Sequence, residues 1–116
     1  MEPREQFLVT TDWLAANLNA PTLRIFDCTV YLRPRDDGKP GYAAVSGRED
    51  WAGGHIPGSA FADLPGDLSD RESPLRFMMP SPAQFAEAVG RYGISDDSDV
   101  VLYDRAGNMW AARIWW

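Results

Sequence analysis

The chain has 116 residues, which caps it at one domain, and 45% of them are hydrophobic, with five Trp, five Phe and four Tyr to fill a core. A formal net charge of −6 argues against nucleic acid and anionic membrane as partners and requires any anion site to be local. The single cysteine, Cys28, excludes an intramolecular disulfide and fits a reducing compartment. The first residues, MEPREQFLV, lack the basic and apolar regions of a signal peptide, and no apolar run approaches the ~20 residues that span a bilayer. The expected setting is therefore soluble and cytoplasmic.

In chain order, TTDWLAANLN predicts a helix, with Thr10 as N-cap, Asp12 in the first turn, and Leu14 and Leu18 on one face. Leu23–Cys28 predicts a strand buried on both faces. The stretch from Thr29 to Asp50 reads as long and irregular, and Arg33–Pro40, rich in charge, Pro and Gly, as an exposed loop. WAGGHIPG contains two Gly-bounded turns, after which Ser59–Ala62 predicts a short strand ending at Asp63. Pro65–Pro80 has no sustained period and reads as loop. Pro82–Tyr92 is the clearest helix. Ser81 is its N-cap, Pro82 its first residue, Gln84 the partner in a capping box, and Gly93 its stop, with Phe85, Ala88, Val89 and Tyr92 as the apolar face. Val100–Tyr103 predicts a buried strand, and Trp110 opens a helix that the sequence does not complete.

Strands alternating with helices imply an α/β fold with a mostly parallel sheet, whose ligands bind beyond the carboxyl ends of the strands. Asp27 with Cys28, Asp63, and Asp104 with Arg105 all fall at such ends. Leu23–Cys28 and Val100–Tyr103 are expected as adjacent central strands, with Ser59–Ala62 outside the first and all three aspartates on one edge of the sheet.

GREDWAGGHIPGSAFADL, preceded by LRIFD and followed by VVLYD and AARIWW, resembles the signature of the rhodanese-like sulfurtransferases. The final segments are similar to the end of the first of two tandem domains in thiosulfate and 3-mercaptopyruvate sulfurtransferases. The resemblance implies a three-layer α/β fold around a five-stranded parallel sheet, with the last strand between the first and the fourth. Residues 1–116 would then form an N-terminal domain incomplete at its C-terminus, with the catalytic second domain absent. Catalytic members carry a cysteine after the VVxY strand, in a loop whose backbone N–H groups surround a persulfide. Here Asp104 takes that position, so Asp104, Arg105, Ala106, Gly107, Asn108 and Met109 read as a vestigial loop that shapes the domain rather than a working cradle. A carboxylate accepts no sulfur and repels anionic donors. Asp27, His55 and Asp63 are the motif residues and candidate cleft wall.

The resemblance thus implies a parent that moves sulfane sulfur to a thiophile such as cyanide through a cysteine persulfide, this chain being its structural half. The implied partners are the second domain and a small anionic sulfur donor, with no metal or organic cofactor. The rival expectation is an inactive module that binds or regulates a protein partner. Cys28 reads better as a small buried hydrophobe than as a displaced nucleophile, and His55 better as a turn residue than as an acid or base. Arg105 and Arg113 are expected to pair locally with Asp104. Arg33, Arg35, Asp36 and Asp37 read as a solvated loop. Trp51, Trp110, Trp115 and Trp116 read as core and interdomain surface rather than a ligand-stacking box. HExxH, CxxC and GxxxxGK[ST] motifs are absent.

Overall fold

The computed structural model describes Phe7–Trp116; Met1–Gln6, and with them most of the stretch weighed above as a leader, lie outside the described residues. The elements are α1 (Thr11–Asn17), β1 (Leu23–Asp27), β2 (Val30–Pro34), β3 (Tyr42–Ser46), α2 (Arg48–Gly53), β4 (Ala60–Phe61), α3 (Pro82–Arg91), β5 (Asp99–Tyr103) and α4 (Met109–Trp115). None of the helices is long and apolar enough to cross a membrane.

The central sheet is parallel, in the order β4-β1-β5. β1 lies in the middle because its residues are the most apolar and can be buried on both sides: Ile25, Phe26, Asp27 and the following Cys28 are all buried. Phe26 packs with Ala88 of α3, Trp110 of α4, and Ala62, Leu64 and Leu68 from the segment after β4. Its ring lies 5.4 Å from that of Tyr92. The helices behave as their sequences dictate. Thr10 accepts from Trp13 N at 3.0 Å and Ser81 from Gln84 N at 3.1 Å, which satisfies N–H groups the helices cannot bond internally. Gly93 stops α3 with φ +81°.

The structure corrects the expected placement of several elements. β2 and β3 form an antiparallel hairpin within the stretch expected to be irregular, so Arg33 and Pro34 are strand residues paired with Ala43 and Tyr42. The exposed loop shrinks to the hairpin tip, where Asp37 pairs with Arg35. Around HIPG, one expected turn is the short helix α2, whose first turn carries Glu49 and Asp50. Gln84 completes no capping box. Its side chain donates instead to Asp67 O and Ser69 O, at 3.1 and 2.7 Å, and pins the long loop to α3.

The sheet order is the expected one, with β5 beside β1 and β4 on β1's other side. The pairing of β5 with β1 runs residue by residue, from Leu23 with Asp99 to Asp27 with Tyr103. β5 is an edge, not a central or buried strand, and Val100 is 41% exposed. An apolar groove lined by Phe26, Leu68, Val89, Tyr92, Leu102 and Ile114 runs beside it.

Gly47 sets the entry to α2. Its N–H donates to Thr29 O at 2.8 Å, and an added Cβ would stand 2.7 Å from Thr29 Cβ. Gly53, at the other end of the same helix, has open space around it. Gly47→Ala is therefore expected to lower stability by about 1–3 kcal/mol through overpacking. Gly53→Ala should leave stability unchanged or raise it slightly. Urea unfolding of both variants checks the contrast.

Candidate functional site

Parallel strand direction brings Asp27, the last residue of β1, and Asp63 and Asp104, which follow β4 and β5, to the carboxyl edge of the sheet. They do three different jobs there. Asp27 is fully buried, and its Oδ1 accepts from Thr29 N at 2.9 Å and Thr29 Oγ1 at 2.6 Å. It closes the corner between β1 and β2. Thr29 Oγ1 in turn accepts from Arg105 N at 3.1 Å, which joins that corner to the loop after β5. Asp63 organises the turn after β4: its Oδ1 accepts from Gly66 N, and its own N–H donates to Tyr92 Oη at 3.1 Å.

Asp104 is the centre of the third loop. Four backbone N–H groups converge on its carboxylate: Ala106 and Asn108 donate to Oδ1 at 2.7 and 2.9 Å, Trp110 and Ala111 to Oδ2 at 2.9 and 2.8 Å. Left-handed conformations at Gly107 (φ +71°) and Asn108 (φ +70°) fold the backbone so that these donors face inward. The loop is thus a formed anion cradle, and its occupant is the side chain of its own first residue. The local ion pairs expected with Asp104 are not there. Arg105 reaches across to Gly54 O at 2.7 Å and Asp50 O at 3.3 Å, while Arg113 donates to Phe77 O. Both guanidiniums hold neighbouring backbone in place. Met109 is exposed and Trp110 buried against Phe77, with ring centroids 5.1 Å apart.

The HIPG turn is held from both sides. His55 is exposed and stacks on Trp51, with ring centroids 4.4 Å apart and planes 22° from parallel. Its Nδ1 is 2.6 Å from Trp51 O. A carbonyl only accepts, so Nδ1 carries the proton and Nε2 keeps its lone pair when the ring is neutral. Trp51 Nε1 donates to Ser59 Oγ at 3.2 Å, Ser59 Oγ meets Tyr103 Oη at 3.3 Å, and Ile56 N donates to Tyr103 Oη at 3.3 Å. Sequence reading missed Thr29, Ser59 and Tyr103 as the residues that tie the motif together. A hydroxyl in each segment around the strand ends was the available signal. Trp51 and Trp110 pack within the domain. Trp115 and Trp116 are 62% and 78% exposed, and Trp115 touches the edge of Phe7.

Cys28 lies at this edge but faces the core. It is fully buried, and its Sγ is 3.6 Å from Phe26 O. Burial pushes its pKa from 9.0 up to about 12, helped by the negative charges of Asp27 and Asp104. A thiol so held is a poor nucleophile at neutral pH.

Two outcomes follow from this geometry. Asp104→Ala leaves four N–H donors without their charged acceptor and should cost roughly 2 kcal/mol in urea unfolding. Asp104→Asn should not restore the loss, because its amide turns a donor toward donors. For Cys28, the unfolded thiol ionises near 9 and the folded one near 12, so the folded state holds its proton longer. Stability should therefore fall as pH rises from about 9 toward 12. Tyr92, also raised chiefly by burial, adds to the same decline. Unfolding curves across that range for the parent chain and Cys28→Ala should differ in slope, with the variant the flatter.

Comparison with known proteins sets this edge in context. The model for the Rhodanese-like domain matches residues 10–116. The chain is 38% identical over 115 residues to bovine (Bos taurus) thiosulfate sulfurtransferase, covering 94% of this chain and 35% of that protein. It is 34% identical over 110 residues to the 3-mercaptopyruvate sulfurtransferase of Escherichia coli K12, covering 95% of this chain and 36% of that one. The crystal structure of SseA from Escherichia coli, described as a 3-mercaptopyruvate sulfotransferase, superposes with a TM-score of 0.76 at 33% identity, over 94% of this chain and 38% of the other. The chain thus spans about a third of the length of the sulfurtransferases it matches. On the family model, the sequence identities and the shared α/β architecture, the chain belongs to the rhodanese-like domain family.

Proposed function

We propose that the chain is the non-catalytic first domain of a tandem sulfurtransferase. The carrying observation is the Asp104 carboxylate seated in a ring of four N–H donors, where sulfur transfer needs a thiolate. In the proposed parent, a cysteine thiolate of the second domain attacks the outer sulfur of thiosulfate, or the single sulfur of 3-mercaptopyruvate, whose C–S bond breaks as pyruvate leaves in its enol form. With thiosulfate, the S–S bond breaks and sulfite leaves, so the cysteine holds a persulfide. Cyanide or another thiophile takes the terminal sulfur and frees the thiolate. The two- to threefold greater length of the matched sulfurtransferases supports a second domain.

This domain's part in that scheme is structural. It packs against the second domain and lends one wall to the cleft, with His55 as the exposed polar residue of the wall and Asp27 and Asp63 as its internal braces. Exposed Leu75, Met78 and Met79 on the loop after β4, with Met109 at the start of α4, supply the apolar surface for packing. Polypeptide following Trp116 would add its strand at the open side of β5 and cover the groove there. The lone buried thiol supports a cytoplasmic setting for the same parent.

The purified chain, incubated with thiosulfate and cyanide, should gain no sulfur adduct by mass spectrometry and should release no thiocyanate. Asp104→Cys should yield a thiol that reacts with disulfide reagents at lower pH than Cys28, because four N–H dipoles favour its thiolate. Its turnover should stay far below that of a complete tandem enzyme. Thiocyanate formation by the unmodified chain that disappears in Cys28→Ala would overturn the non-catalytic assignment.

A further inference from the structure

A second cleft opens beside the long loop after β4. It has a volume of about 250 Å³ and lies between Ala44 of β3 and the segment from Ser69 to Phe77. That volume suits a molecule of a few heavy atoms, below the range of larger ligands. Its walls include Pro74, Leu75 and Phe77, and its charged lining is Arg71, Arg76 and Asp70.

The two arginines differ from every other described arginine. Arg24, Arg105 and Arg113 donate to backbone carbonyls, and Arg35 and Arg91 pair with carboxylates. Arg33 and Arg48 sit over aromatic rings. Arg71 and Arg76 have no hydrogen bond, ion pair or ring partner among the described residues, and both line this one cleft. Asp70 is the opposing charge, and its Oδ1 is occupied by Glu72 N at 3.0 Å. In a chain of net charge −6, two unpartnered guanidiniums at one concavity make a local positive site.

The cleft is also rigidly backed. Phe77 holds a left-handed conformation, φ +57°, which is uncommon for a residue with a bulky side chain. Its carbonyl is held by Arg113 and its ring by Trp110, both from α4. The wall that Phe77 forms is therefore fixed from behind, by the helix that also supplies two donors to Asp104.

We infer that this cleft binds a small organic or sulfur oxyanion, with Arg71 and Arg76 holding the anionic group and Leu75, Pro74 and Phe77 the remainder. Guanidinium forks match carboxylate and sulfonate-like oxygens in geometry, and the apolar wall admits a short carbon or sulfur body.

The test is an amide chemical-shift titration of the whole chain at constant ionic strength, with sodium pyruvate in one series, sodium thiosulfate in a second and sodium chloride as the matched control. Saturable shifts centred on Ser69–Phe77 and Ala44, with pyruvate or thiosulfate but not with chloride, are expected. The series that saturates identifies whether the site takes a carboxylate or a sulfur oxyanion. In the double variant Arg71→Gln, Arg76→Gln, affinity should drop about tenfold or more, while thermal unfolding stays unchanged because both side chains are exposed. No saturable response in this loop, an equal response to chloride, or undiminished binding by the double variant would each overturn the assignment. The measurement reads binding to this chain alone, so its outcome is independent of whether a parent protein transfers sulfur.

Discussion

One carboxylate and the four N–H groups around it determine the shape of the carboxyl edge. Without a charge at its centre, the loop from Asp104 to Ala111 would hold several inward-pointing donors with no acceptor, at a cost of roughly 1–3 kcal/mol for each one buried. With the charge in place the loop closes, and the start of α4 follows from it. Trp110 is then delivered to the core against Phe77, and Arg105 is aimed at Gly54 and Asp50. The HIPG turn is held by that arginine and by Tyr103, the residue before Asp104. Loop, helix and motif are thus positioned from three consecutive residues, Tyr103, Asp104 and Arg105, at the end of one strand.

The neighbouring strand end works by a different balance. Asp27 and Cys28 are both fully buried; Thr29 bonds Asp27 Oδ1, while Oδ2 has no partner among the described residues. Thr29 supplies both donors to Asp27 Oδ1 and accepts from Arg105 N, so a single hydroxyl joins β1 to the Asp104 loop. The same crowding that holds Asp27 also suppresses the thiolate of Cys28. The chain's only thiol therefore sits close to a formed anion cradle and has no access to it.

Local signals in the sequence carried those parts of the fold that local chemistry decides. The start and stop of α3 were legible because Ser81, Pro82 and Gly93 each satisfy a backbone need within a few residues. β1 and β5 were legible as apolar runs, and their carboxyl ends as one shared edge, because parallel strands share a direction. The β2–β3 hairpin was not legible. Its strands contain Arg33, Pro34 and Ser46, and only pairing across the long turn makes them strands. α2 was hidden by the glycines at its ends, of which Gly47 serves a close approach to Thr29, a contact made in space rather than along the chain. Strand order was legible from the alternation of strands and helices: β5 lies beside β1, with β4 on the other side. At the site, the residue types were readable but their partners were not. The identity of Asp104 excluded a nucleophile. That its carboxylate fills the cradle depends on two left-handed residues later in the loop, and the reach of Arg105 to Gly54 spans two segments far apart in sequence.

The occupied cradle also limits where this domain can meet an anion. A carboxylate fixed by four donors uses up their positive potential and adds a negative charge at the place where a persulfide-bearing loop would attract its donor. Asp27 and Asp63 add to the negative field along the same edge. Attraction for an anionic ligand must then come from side chains that no internal carboxylate, carbonyl or aromatic ring has claimed. Among the described arginines, these are the two at the cleft beside the long loop. The aspartate makes the loop a structural clasp, because its own carboxylate occupies the four N–H donors that the loop turns inward.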